Sequence, residues 1–120
     1  MLKTLNKNST FVWHVHPSKT LNLLHPLITA KKIHFIAMGG SVMHNLAICL
    51  HHLNNKITGS DDKFFDPSKG RLEAYGLLPE KEGWHPDRIT PDLDMVILGM
   101  HAKKDNPELL RAQELNLAIF

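Results

Sequence analysis

Residues 32–47, Lys-Ile-His-Phe-Ile-Ala-Met-Gly-Gly-Ser-Val-Met-His-Asn-Leu-Ala, constrain the fold of this chain more than any other stretch. An apolar run of strand length, Ile33 to Met38, passes through Gly39 and Gly40 into a segment whose Met43, Leu46, Ala47, Leu50 and Leu53 recur at spacings of three and four. The run lacks the polar alternation of a half-exposed strand, so it predicts a central parallel strand covered on both faces. The spacing after it predicts a helix over Ser41 to Leu53 with one apolar face. In that order the first N–H groups of the helix have no intrahelical partner and lie at the positive end of its dipole. An anion bound there is stabilised without a basic side chain, and Gly39 and Gly40 let the backbone come close to it.

The rest of the chain repeats the alternation. Lys56 to Gly59 reads as a second strand ending in the polar turn Ser60-Asp61-Asp62, completing a βαβ unit of about 30 residues. Asp66-Pro67 is a helix start, the aspartate capping free N–H groups and the proline suiting the first helical position, and Gly76 is the stop just past Tyr75. Leu77 to Thr90, broken by Pro79, Gly83 and Pro86, reads as loop with at most one short strand near Trp84. Met95 to Gly99 is a further strand. Asp105-Asn106-Pro107-Glu108 opens another helix with Leu109, Leu110 and Leu115 on its apolar side, and Leu117 to Phe120 reads as the beginning of a fifth strand. Residues 1–30 show no sustained period and read as an extension, with Leu21 to Ile28 compatible with a short helix or an edge strand.

Strands alternating with helices imply an α/β, Rossmann-like, doubly wound parallel sheet in a single domain. Ligands of such sheets bind beyond the carboxyl ends of the strands, where the strand order reverses. Three loops converge there: Met38 to Met43, Gly59 to Asp62, and Gly99 to Lys104.

Composition narrows the partners. The 14 basic and 12 acidic residues are spread without a basic run, which excludes an ordinary nucleic-acid-binding surface. No apolar run approaches the roughly 20 residues of a membrane span, and His14, His16, Pro17, His25 and Pro26 interrupt any signal-peptide core, so a cytoplasmic protein is expected. The single Cys49 has no internal disulfide partner and is expected as a small buried hydrophobe of the first helix. His44, His51 and His52 share that helix without the i, i+4 spacing of a metal site, so no metal ligands are assigned. His101, just past a strand end, is placed either to donate to a phosphate or base or to pack its loop.

The turn Ala37-Met38-Gly39-Gly40-Ser41-Val42 departs from the dinucleotide fingerprint Gly-x-Gly-x-x-Gly, with alanine and valine at the first and third glycine positions. A bulky Val42 is expected to push the helix off the strand or to demand a different turn. Asp61, about 20 residues beyond Gly39, stands where an acid accepts from a ribose, or else satisfies N–H groups of its own turn. No Gly-x-x-x-x-Gly-Lys-Ser/Thr phosphate loop occurs, and Ser41 and Ser60 have no recognisable base partner, so no catalytic residue is assigned.

Taken together, Ile33-His-Phe-Ile-Ala-Met-Gly-Gly-Ser-Val-Met43, Thr58-Gly-Ser-Asp61 and Asp105-Asn-Pro-Glu108 resemble, in order and spacing, the N-terminal, UDP-binding domain of the Mur ligases of bacterial cell-wall synthesis. The resemblance covers residues 31–120 and leaves residues 1–30 outside. It implies a Rossmann-like domain holding UDP-N-acetylmuramate, with Gly39, Gly40, Ser41, Val42 and Met43 cradling the diphosphate, Ser60 and Asp61 on the uridine side, and Gly99, Met100 and His101 along the other wall. Alanine-adding members resemble Gly-Ile-Gly-Gly-Ala-Gly-Met in this turn, and the bulky residue here looks more like the tripeptide-recycling branch, so the choice of branch stays open.

Mur ligases join an amine to a carboxylate activated by ATP and magnesium, on central and C-terminal domains that the resemblance does not find in this sequence. The chain is therefore expected to be an incomplete, non-catalytic part of a ligase, with no cofactor of its own and ATP and Mg2+ belonging to the full-length enzyme. An unfinished sheet edge implies self-association. Two other readings stay open: the NAD(P)-binding domain of an oxidoreductase, and a non-catalytic interaction fragment.

Overall fold

β1 (Lys32–Ile36), β2 (Lys56–Ser60) and β3 (Met95–Leu98) form one parallel sheet in the order β2-β1-β3, in a computed structural model that describes residues 31–120. The earlier reading of Leu21 to Ile28 lies outside the described residues. Between the strands run α1 (Ser41–His52), α2 (Ser68–Ala74) and a 3-10 turn (Pro86–Arg88), and α3 (Pro107–Glu114) follows β3. Phe35 sits opposite Gly59 on one side and Ile97 on the other, so β1 is the central strand.

Strand periodicity divides the core. Ile33 and Phe35 face a cluster with Ala47, Ile48 and Leu50 of α1 and Leu72 of α2. Ile36 and Val96 face the opposite cluster with Ile89, Leu109 and Ala112. Helices thus cover both faces, the doubly wound α/β arrangement that continuous apolar strands require. His34 is the one polar residue of β1 pointing into this core, and it is fully buried.

Several elements end differently from their sequence reading. β1 stops at Ile36 rather than Met38 because Ala37 turns left-handed (φ 68°), and the N–H groups of Ala37 and Met38 both donate to the Ser60 carbonyl at 2.9 Å. Cys49 is exposed on the outer face of α1, not buried, since the core side of that helix is taken by Ala47, Ile48 and Leu50. α2 starts at Ser68, yet the Asp66 carboxylate still accepts from the Gly70 N–H at 3.0 Å. Near Trp84 there is no strand, only a single antiparallel bridge between Asp61 and Gly83 ahead of the 3-10 turn. On α3, Leu110 faces solvent while Glu108 is buried. The C-terminal residues pair beside β3 through Val96 and Ile119, which makes this the fourth extended segment among the described residues rather than the fifth.

The helices α1, α2 and α3 close alike. Leu77 donates to Leu72 and Gly76 to Glu73 at the end of α2, with Gly76 at φ 71°. The same pair of bonds, with left-handed Asn54 and Asn116 in place of glycine, ends α1 and α3. This is the Schellman motif, which satisfies carbonyls left over in the last turn.

Candidate nucleotide site at the strand carboxyl ends

The turn from β1 into α1 keeps the shape that its missing glycines would have supplied. Ala37 stands at the first glycine position and adopts the left-handed backbone itself. Its carbonyl lies so near Gly99 that a Cβ there would come within 2.7 Å of it, so the β1 and β3 ends touch backbone to backbone. Val42, at the third glycine position, is 67% exposed and does not wedge α1 from the strand. The expected displacement is absent because the side chain leaves the helix outward.

α1 begins with Gly40 as its N-cap, in an extended conformation and with no side-chain cap. A Cβ built on Gly40 meets nothing within 4 Å, so the space before the helix is open. Ser41 and Val42 are exposed, whereas the Met43 side chain packs onto the core and leaves only its backbone for a ligand. Gly39 differs from Gly40: its N–H donates to Asp61 Oδ2 at 2.8 Å, and an added Cβ would lie 2.9 Å from that same oxygen. Asp61 Oδ1 accepts from the Asp62 N–H at 2.7 Å. Of the two readings of Asp61, the structure displays the bonding to turn N–H groups.

A cavity of about 420 Å3 opens at this end of the sheet. Ala37 lines it after β1, Asp61 and Asp62 after β2, and His101 and Lys103 after β3, with Trp84, Asp105, Asn106 and Pro107 completing the wall. The chain reverses direction across the sheet between β2 and β3, on either side of β1, which is where such folds place ligands. Three carboxylates, of Asp61, Asp62 and Asp105, against Lys103 and the neighbouring His101 make the cavity wall acidic.

The remaining expected residues separate. Ser60 is fully buried, and its hydroxyl accepts from Arg88 Nη1 at 2.7 Å. Gly99 is buried behind Ala37, and Met100 is 87% exposed without lining the cavity. The sequence reading did not name Asp62, Trp84, Lys103, Asp105, Asn106 or Pro107 as site residues. Their signal is partial: Asp62 and Lys103 lie in loops expected at the crevice, and Asp105-Asn106-Pro107 reads as a helix start and as part of the family resemblance, without a site role. Nothing local marks Trp84.

A buried ionisable pair joins the central strand to the start of α3. His34 Nε2 is 2.7 Å from Glu108 Oε1, His34 Nδ1 is 2.8 Å from Thr58 Oγ1, and Glu108 Oε2 accepts from the His85 N–H at 2.7 Å. Burial pushes the Glu108 carboxyl up, but the bonds from His34, the His85 N–H and Ser60 outweigh it and hold the group below the usual carboxylate range.

The sequence pattern of the Mur ligase family catalytic domain matches residues 32–120. The chain belongs to the Mur ligase family. A UDP-N-acetylmuramate–L-alanine ligase of Clostridium kluyveri is 38% identical over 93 residues, covering 78% of this chain and 20% of the relative. The enzyme of that name from Sulfurihydrogenibium is 37% identical over 87 residues, covering 72% and 18%. Among solved structures, a murein peptide ligase from Psychrobacter arcticus superposes with a TM-score of 0.68 at 25% identity, covering 76% of this chain and 19% of that one. The UDP-N-acetylmuramate–alanine ligase of Thermotoga maritima gives 0.62 at 28% identity, covering 74% and 20%. This Mur ligase chain therefore spans about a fifth of the length of the curated relatives it matches. No helix among the described residues is long and apolar enough to cross a membrane.

Proposed function

We propose that residues 31–120 hold the uridine diphosphate part of UDP-N-acetylmuramate for a cytoplasmic, ATP-dependent amide ligase of peptidoglycan synthesis or recycling. One observation carries the reading: the start of α1 is uncapped with open space before Gly40, and although none of Gly39 to Met43 lines the 420 Å3 cavity, Ala37 leading into that turn and Asp61, which accepts from the Gly39 N–H, both do. Family membership supplies the nucleotide sugar, since relatives bearing that name act on UDP-N-acetylmuramate. Ser41, Val42 and Met43 offer their N–H groups to the diphosphate.

The ATP and Mg2+ expected of a full-length ligase do not fit the described residues. No group of three His, Cys, Asp or Glu among them is placed to hold a metal ion, and the sequence has no phosphate loop for ATP. These residues act in this proposal as a substrate-holding unit without ligase turnover of their own.

Calorimetric titration with UDP-N-acetylmuramate, UDP and NADH tests the reading. The two uridine ligands should bind and NADH should not compete. Tighter binding of NADH would instead support the oxidoreductase alternative, and binding of no nucleotide by a cooperatively folded chain would support an interaction fragment. ATP-dependent ligation by residues 1–120 alone would overturn the non-catalytic part. Self-association along a sheet edge belongs to the same proposal, and a stable monomer by light scattering across concentrations would count against it.

A further inference from the structure

Glu108 touches nothing in the cavity, yet from its place at the start of α3 its carboxylate ties that wall to the central strand and to the Trp84 wall. Through Oε1 the carboxylate meets His34 on the central strand, through Oε2 it holds the His85 N–H next to Trp84, and its own N–H donates to Asn106 Oδ1 at 2.9 Å at the start of α3. Trp84 and Asn106 both line the cavity. His34 and Glu108 side chains are 0% exposed. A helix start normally turns a carboxylate toward its own N–H groups, whereas this one, at the second position of α3, is turned inward to the sheet.

We infer that Glu108 is the positioning residue of the site, clamping the Trp84-bearing segment and the start of α3 to β1 so that the cavity keeps its shape. The groups that face it are His34 from β1, Ser60 from β2, the His85 N–H before the 3-10 turn, and Asn106 from α3, with Arg88 reaching Ser60 from the 3-10 turn. Glu108→Gln keeps the shape and still accepts from His85, its amide donating to a His34 that donates from Nδ1 to Thr58. Glu108→Leu keeps the volume and removes both bonds.

The test uses the full chain carrying Trp13→Phe, so that Trp84 is the sole tryptophan. Acrylamide quenching of Trp84 is measured at neutral pH, UDP affinity is measured by calorimetry, and folding is checked by thermal melts. Glu108→Leu should raise the quenching constant at least twofold and weaken UDP binding at least tenfold, while Glu108→Gln stays within twofold of the parent in both. A folded Leu variant with parental quenching overturns the proposal. If the Leu variant does not fold, Glu108→Met, unbranched and also unable to make either bond, takes its place, and parental quenching in a folded Met variant overturns the proposal. The affinity arm rests on the nucleotide reading above. Failure of the parent to bind UDP would sink that reading and leave the quenching result to judge Glu108.

Discussion

Ala37 carries a left-handed backbone that glycine would adopt freely, and this shows how a missing glycine is tolerated in the turn. The conformation costs an L-residue roughly 1–2 kcal/mol. Ala37→Gly relieves that strain but loses a buried methyl of about 0.8 kcal/mol and adds chain entropy of roughly 0.5–1 kcal/mol. Urea unfolding should therefore show a change within about 1 kcal/mol. Gly99→Ala should behave differently, because its Cβ would lie 2.7 Å from the Ala37 carbonyl oxygen and 3.0 Å from that of Ile36, both backbone atoms that cannot swing aside. A loss of about 2 kcal/mol is expected in the same measurement. Gly39 was legible as a special position. Its reason was not, since only the fold brings the Asp61 carboxylate against its N–H. Val42 was misread for a related cause: the sequence marks it as bulky but does not say that its side chain points to solvent.

Among the elements, punctuation was read where residue type and position agree. Gly76 ends α2 as expected, and Asn106 caps α3 by accepting from the Glu108 and Leu109 N–H groups at 2.9 and 3.2 Å, with Pro107 at the first helical position. Asn106→Ala should cost about 1 kcal/mol in urea unfolding, and amide exchange should show it first in α3. The ends of α1 and α3 were harder to see because asparagine is common in loops, and only the φ of 69° at Asn54 and 55° at Asn116 reveals the motif. The strand considered near Trp84 did not form. Asp61 takes the Gly83 N–H, and the next residues are drawn into a 3-10 turn rather than a ladder. On α3, three leucines suggested the inner face, but His34 claims that place for Glu108, and Leu110 turns outward.

For the whole molecule, titration follows from the same contacts. Glu108 sits below its ordinary value of 4.5 when folded, so the folded chain takes up its proton less readily than the unfolded one. Its stabilisation is present above the unfolded value and is lost as pH falls through the folded one. Melting temperature should therefore drop on acidification below about pH 4.5, and Glu108→Gln should flatten that drop. Asp92, lowered by hydrogen bonding to Lys32 and Thr90, titrates in the same direction at the surface, whereas Lys32, raised by its bond to Asp92, loses its contribution only as pH climbs above about 10.5. The order of strands and helices, the parallel sheet and the end of it at which the cavity opens were determined by the sequence alone, because apolar periodicity, glycine turns and proline starts act over a few neighbouring residues. Which polar groups are buried against one another was decided only by the tertiary structure. His34 and Glu108 stand 74 positions apart, and His85 and Glu108 stand 23 apart, so no local pattern announces that one carboxylate joins the central strand to two walls of the cavity.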